Sequence, residues 1–291
     1  MSHRCFPFTL RLLLGGLLLL SPPLAVAHPF DPFAEDKRAA LGLVLEHMRE
    51  GETHEALLQV DDALMKFPKH GPFYALKGQI LMRAGRMEEA QAPVEKAIEL
   101  EPDYGLSYWL RGLLRQHRGQ YEAAIADFDE TLKRENQSEA LIAQAVGSRG
   151  MALVDLGRYE AALADLDRAI EARPQAIAER QFRAMAYLAL ARQDNAYVDK
   201  ARADADALIA RGVQDGITRR LQGQIALAQG DFKAAVAALD AAIKQNPKDP
   251  LAFAYRAQAH AALKRTKAAR SDRARACKLG LAASCAPEKK P

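Results

Sequence analysis

The sequence predicts an all-α array of helix–turn–helix units, and two observations carry that expectation. The first is a recurring phrase. Gly51, Gly85, Gly119, Gly157 and Gly230 are each followed five positions later by Ala56, Ala90, Ala124, Ala162 or Ala235. Seventeen positions after the glycine stands Pro68, Pro102, Asn136, Pro174 or Pro247. The first two intervals are both 34 residues, a period typical of paired helices that stack side by side. The second is an absence: no Val/Ile-rich alternating stretch bounded by hairpin turns occurs, so strands are not expected. Of 291 residues, 49% are hydrophobic and 7% aromatic, which suits an extended, alanine-rich helical core.

Each symbol in the phrase has a physical role. The glycine lies between two apolar-periodic segments and can end the first helix in a left-handed conformation. The alanine sits early in the second helix, where the two helices cross too closely for a large side chain. The proline ends the unit. Seven positions before the glycine is a second small residue, Gly78, Gly112, Gly150 or Gly223.

Taken in order, the chain opens with Arg4 and Arg11, an apolar run from Leu12 to Leu20, Pro22-Pro23 and Ala25-Val26-Ala27. This is the layout of a secretory signal peptide over residues 1–27, with cleavage between Ala27 and His28. The run is short for a bilayer span; an uncleaved signal serving as a membrane anchor is the alternative. A short segment, 28–36, precedes the array. Units are expected at about 37–70, 71–104, 105–138, 139–176, 177–215, 216–249 and 250–280, with a tail at 281–291. In the first unit Val44 replaces the small residue. Four extra residues near Asn136-Gln137-Ser138, and about five near Arg192 to Ala196, fall at turns, where insertions are tolerated. The fifth and seventh units keep the phase through Arg183-Ala184 and Ala191, and through Ala257, Lys264, Ala269 and Ala276.

These residues resemble the tetratricopeptide repeat (TPR) family. Its small–Gly–aromatic–Ala–Pro pattern reads Tyr108, Gly112, Gly119, Tyr121, Ala124, Phe128 in the third unit. In the fourth it reads Gly150, Gly157, Tyr159, Ala162, Ala169, Pro174. The resemblance implies a right-handed superhelical solenoid of about seven units. It also implies that the first helix of each unit lines a concave groove, at positions ten, six, three and two before the turn glycine. The candidate partner-binding residues there are Gln79, Met82, Arg83, Trp109, Leu113, Gln116, His117, Met151, Gln181 and Met185. An apolar, methionine-bearing lining suits an amphipathic helix of a partner. The alternative is that Trp109 and the methionines pack inside the array or against a neighbouring copy.

Cys5 leaves with the signal, so Cys277 and Cys285 remain as an even pair in an exported chain. The stretch from Ala276 to Cys285 resembles the link of cysteine-rich Sel1-like repeats, which implies a disulfide between the two. Charge is uneven. Residues 28–250 hold 29 basic and 35 acidic side chains, giving −6; residues 251–291 hold 10 and 2, giving +8. The basic segment is read as a solvated face or as a docking patch for an anionic lipid surface or an acidic partner. It lacks interleaved aromatics, and nucleic acid is not an expected partner.

Catalytic signatures are missing. The histidines are His3, His28, His47, His54, His70, His117 and His260. None forms a zinc-type motif, and no phosphate loop or nucleophile elbow appears. Paired acids such as Glu88-Glu89 and Asp165/Asp167 are read as solvated faces. The expected function is therefore a periplasmic scaffold that binds an envelope protein or peptide, with no catalysis, cofactor or metal. The alternatives are a self-associating structural protein working through its terminal units, and a metal-handling protein using His28 or His117.

Overall fold

A computed structural model describes residues 31–135 and 137–285. The signal cleavage site at Ala27 and His28 lies outside the described residues. Among the described residues there are fourteen α-helices and no strand. They are α1 (Ala34–Glu50), α2 (Thr53–Lys66), α3 (Gly71–Arg83), α4 (Met87–Leu100), α5 (Gly105–His117), α6 (Tyr121–Lys133) and α7 (Glu139–Asp155). They continue as α8 (Tyr159–Ala172), α9 (Ile177–Leu190), α10 (Ala196–Ala210), α11 (Gly216–Ala228), α12 (Phe232–Gln245), α13 (Pro250–Ala262) and α14 (Thr266–Lys278). A single 3-10 turn, Ala282–Ser284, follows. No helix among the described residues is long and apolar enough to cross a membrane. The chain forms two compact units that divide between Glu179 and Arg180.

In the first unit α1 packs on α2, α3 on α4, α5 on α6 and α7 on α8; in the second, α11 packs on α12 and α13 on α14. The second helix of a pair then packs on the first helix of the next, as in α2 on α3, α4 on α5, α6 on α7 and α12 on α13. The turn glycines Gly51, Gly85, Gly119, Gly157 and Gly230 all have left-handed φ between 72° and 79°. At the last pair Lys264 holds that place, with φ 60°.

The small residues set how closely helices cross. A Cβ on Gly112 would lie 2.5 Å from the Phe128 ring, and one on Gly223 2.5 Å from Leu239. Ala56, Ala90, Ala124, Ala162 and Ala235 are fully buried. In the first unit Ala56 joins a cluster with Phe73 and Ile80, and Ala90 and Ala124 join another with Met82, Leu110, Leu113, Phe128 and Leu141. In the second, Ala184, Val198, Ala201 and Leu221 form one cluster, and Leu239, Ala242 and Ala252 another.

A recurring ion pair ties the two helices of a unit together. Eight positions before the turn stands an arginine, and its partner is an aspartate 16 residues on. Arg111 holds the buried Asp127 at 2.7 Å, Arg149 holds Asp165 at 2.7 Å and Arg256 holds Asp272 at 2.6 Å. Arg183 and Asp204 do the same across the five-residue insertion, at 2.5 Å. Asp165 is thus clamped to the neighbouring helix, contrary to the solvated face expected of it, while Asp167 is exposed. The paired aspartate raises the Arg149 pKa above its ordinary value, with Asp129 adding to it. These guanidinium forks bond both carboxylate oxygens, a geometry lysine cannot reproduce.

Candidate functional site

The predicted groove residues of the first unit sit on α3, α5 and α7, which touch one another in sequence. Most of them are interior. Gln79, Met82, Trp109, Leu113, Gln116 and Met151 are all buried, as is Gln181 in the second unit. Met82, Trp109 and Leu113 share one core cluster. The Trp109 indole N–H donates to Ser148 Oγ at 3.1 Å, tying α5 to α7. Trp109, Met82 and Met151 pack in the interior, whereas Met185 keeps part of its surface in solvent.

Arg83, His117 and Met185 remain partly exposed. Arg83 and His117 hold the same place, the last turn of successive first helices, and Asp155 holds it on α7. The three therefore form a row of positive, imidazole and negative groups along one edge of the first unit. Beside His117, the Gln116 amide is buried with neither its oxygen nor its nitrogen hydrogen-bonded, and His117 Nδ1 is buried and unbonded too. Unsatisfied buried amides cost roughly 1–3 kcal/mol each; the polar surface this edge presents is that of Arg83, His117 and Asp155. In the second unit the Gln181 amide nitrogen donates to Asp215 at 2.9 Å and to Thr218 at 3.0 Å.

A second concavity lies on a different face of α3. Leu57, Asp61, Tyr74, Lys77, Leu81, Arg86, Glu89, Ala92, Pro93 and Lys96 line an open cleft of about 630 Å³ between α2, α3 and α4. Its origin is a missing clamp. Pro93 occupies the slot that Asp127, Asp165 and Asp272 fill elsewhere, so Lys77 has no acid in its own pair and reaches back to Asp61 at 2.6 Å. Pro93 also lies inside α4 and has no N–H to give to the Glu89 carbonyl. The phase of the repeat could have revealed this cleft: proline stands where the clamp needs aspartate.

Of the groups weighed for metal, His47, Glu50 and Glu52 are the one set among the described residues whose ligand atoms lie within 4.8 Å of each other. Both glutamates are exposed, and Glu52 is spent on His47 Nδ1 at 2.7 Å. His54 is not part of the set. His117 has no such partners, and His28 lies outside the described residues. Cys277 and Cys285 are joined by a disulfide across Gly280, with Cα atoms 4.9 Å apart.

Comparison with known proteins agrees with this architecture. The family description "Tetratricopeptide repeat" matches residues 110–177, 184–250 and 220–280, and a second description of the same name matches 71–104. No curated protein sequence matches the chain. Solved structures similar in fold include a tetratricopeptide repeat protein from Parabacteroides merdae, with TM-score 0.56 and 18% identity over 84% of this chain and 94% of that one. Pseudomonas aeruginosa pilF gives TM-score 0.63 and 15% identity over 78% and 100%. PilW, described as a type IV pilus biogenesis factor, gives 0.57 and 22% over 73% and 94%. At these identities the likeness is one of fold. With family matches over more than half of its length and the paired-helix architecture on which they fall, the chain belongs to the tetratricopeptide repeat family.

Proposed function

We propose that this protein is a non-catalytic adaptor of the bacterial periplasm that holds a segment of another envelope protein. The observation that carries the reading is the edge of the first unit, where Arg83, His117 and Asp155 line up beside the unsatisfied Gln116 amide. A partner's main chain offers donors and acceptors, and the partly exposed Arg83 guanidinium and His117 imidazole are suited to them. The buried floor of Met82, Leu113 and Met151 holds the row rigid, and rigid placement lowers the entropy cost of binding. The location rests on the segment Arg4 to Ala27, with cleavage before His28; a retained anchor there would place the same array at the membrane. The Cys277–Cys285 disulfide accords with an oxidising compartment. The link around it follows the Sel1-like pattern, and the basic C-terminal segment is available to anionic surfaces of the envelope.

Crosslinked capture of the processed protein from periplasm, with partners identified by mass spectrometry, tests the reading. Arg83→Glu and His117→Glu lie at partly exposed positions and should each lose the captured partner while keeping the helical spectrum. Undiminished capture by both variants would remove the partner from this edge. A full-length chain recovered only from the membrane fraction would remove the periplasmic assignment.

A further inference from the structure

The interior seams of the array obey a charge rule that its two ends break in complementary ways. Ten positions after the turn, the second helix of each pair carries an acid: Asp61, Glu95, Asp129, Asp167, Asp206 and Asp240. Asp206 keeps this place once the five-residue insertion is allowed for. Eight positions before the turn, the first helix of the following pair carries Lys77, Arg111, Arg149, Arg183, Gln222 or Arg256. In three of these seams an ion pair joins the two positions. Lys77 binds Asp61, Arg149 binds Asp129 and Arg256 binds Asp240, each at 2.6 Å. Arg111, whose pKa is raised first by Asp127, lies also in the field of Glu95.

At the ends both partners are replaced. The first helix, α1, has Leu43 where the later first helices have a base or glutamine. Leu43 is 48% exposed, among the few large apolar side chains left in solvent. The last helix, α14, has the exposed Ala274 where every earlier second helix has an acid. A repeat array that simply stops presents polar outer faces, yet here a leucine and an alanine stand at the matching seam positions. Gly42, next to Leu43, adds an independent sign. It lies inside a helix, where glycine is unfavourable, and a Cβ there would meet nothing within 4 Å. Nothing among the described residues requires it.

The surrounding charges are opposite. On α14, Lys267, Arg270, Arg275 and Lys278 are exposed, and the single acid, Asp272, is buried and held by Arg256. On α1, Asp36, Glu46 and Glu50 share the helix face of Leu43 and are exposed, while the exposed Arg38 and Arg49 fall on other faces. We infer that α14 of one copy seats α1 of a second copy, Leu43 resting on Ala274, so that copies join head to tail. The contact repeats the arrangement of seams inside each unit, where a second helix receives the next first helix, as α2 does α3, α4 does α5, α6 does α7 and α12 does α13. It exchanges their ion pair for an apolar contact ringed by opposite charges. Such an interface is heterologous and propagates unless rotation closes it.

Sedimentation velocity on the chain purified as the cell processes it decides the matter. The mean mass should rise with protein concentration past two copies and fall with salt, since exposed charge pairs are screened. Leu43→Arg and Ala274→Asp, both at exposed positions, should each leave single copies only. Mixing the two variants should restore assembly, because the mixture keeps one unaltered pairing and rebuilds an interior ion pair at the other. Circular dichroism confirms folding, and the salt series on the unaltered chain stands if either variant does not fold. The inference is overturned if the chain stays single at all concentrations. It is overturned equally by a species that stops at two copies and yields to one variant alone, or by growth that ignores both. Single copies that co-sediment with vesicles of anionic phospholipid would give the basic face to lipid instead. The capture experiment on Arg83 and His117 is independent of all these outcomes.

Discussion

The same substitution, glycine to alanine, should have opposite effects at two helical positions of this chain. At Gly112 the added Cβ would lie 2.5 Å from Phe128 Cε1, 2.8 Å from Cδ1 and 3.1 Å from Cζ. Carbon atoms pack at about 3.5–4.0 Å, so the ring would have to retreat by roughly 1 Å. Phe128 is fully buried and has no free volume to retreat into. Overpacking of this kind costs about 1–3 kcal/mol, set against about 0.5–1 kcal/mol gained by replacing a helical glycine. The net expectation for Gly112→Ala is a loss of about 1–2 kcal/mol. At Gly42 the same Cβ meets nothing within 4 Å, so Gly42→Ala should gain about 0.5–1 kcal/mol. Urea unfolding followed by far-ultraviolet circular dichroism, in salt that keeps the chain single, measures both. An array need not unfold in one step, so amide exchange in α1 and α5 should accompany the melts. A neutral Gly112→Ala, or the same sign at both positions, would refute the claim that close helix crossing dictates these glycines.

Three further outcomes follow from the clamps, the turns and the disulfide. Asp127→Ala strands Arg111 and Arg115, which both hold it. Because these arginines reach solvent, the loss should be about 2–3 kcal/mol, at or below the range for fully buried pairs, read by chemical denaturation. Lys264→Gly relieves the left-handed lysine at the last turn and should stabilise by about 0.5–1 kcal/mol, the conformational relief less glycine's greater unfolded freedom; a shift in the melt of the C-terminal end checks it. Reducing Cys277–Cys285 opens a loop of sequence separation 8, worth about 2–3 kcal/mol by loop-closure arithmetic, and should raise amide exchange in α14 while leaving α5 and α6 unchanged.

The period of the chain exposed the helix pairs, their turns and their small residues, because each depends on local backbone needs repeated in register. Gly119 must be left-handed, and Ala124 must be small, whatever the neighbouring unit holds. Side-chain burial on the first helices was less legible. Met82 and Trp109 carry the same spacing whether they line an open groove or fill a closed seam, so spacing alone does not tell the two apart. The arginine clamps were hidden for a different reason. An acid 16 residues from an arginine lies on another helix, and only the phase of Arg111 and Asp127 repeated at Arg149 and Asp165 identifies the pair. Pro93 is the converse, a departure from phase that opens a cleft.

The basicity of the C-terminal end takes a different meaning once the ion pairs are assigned. It arises as much from lost acids as from added bases. In α6 the second helix spends Asp127 on its own first helix and Asp129 on the next. On α14 the counterpart of the first is Asp272, consumed by Arg256, and the second is absent, with Ala274 in its place. The cations Lys267, Arg275 and Lys278 are therefore left without an acid beside them on the outward face. At α1 the reverse holds: the seam base is absent, Leu43 stands in its place, and Glu46 and Glu50 remain. A charge pattern that ties neighbouring helices together within the chain thus generates, wherever the chain begins and ends its repeats, two faces of opposite sign. The attraction between them needs no separate design, only the removal of one partner from each end. The apolar pair left behind by that removal distinguishes two ends shaped to meet from two ends that merely differ in charge.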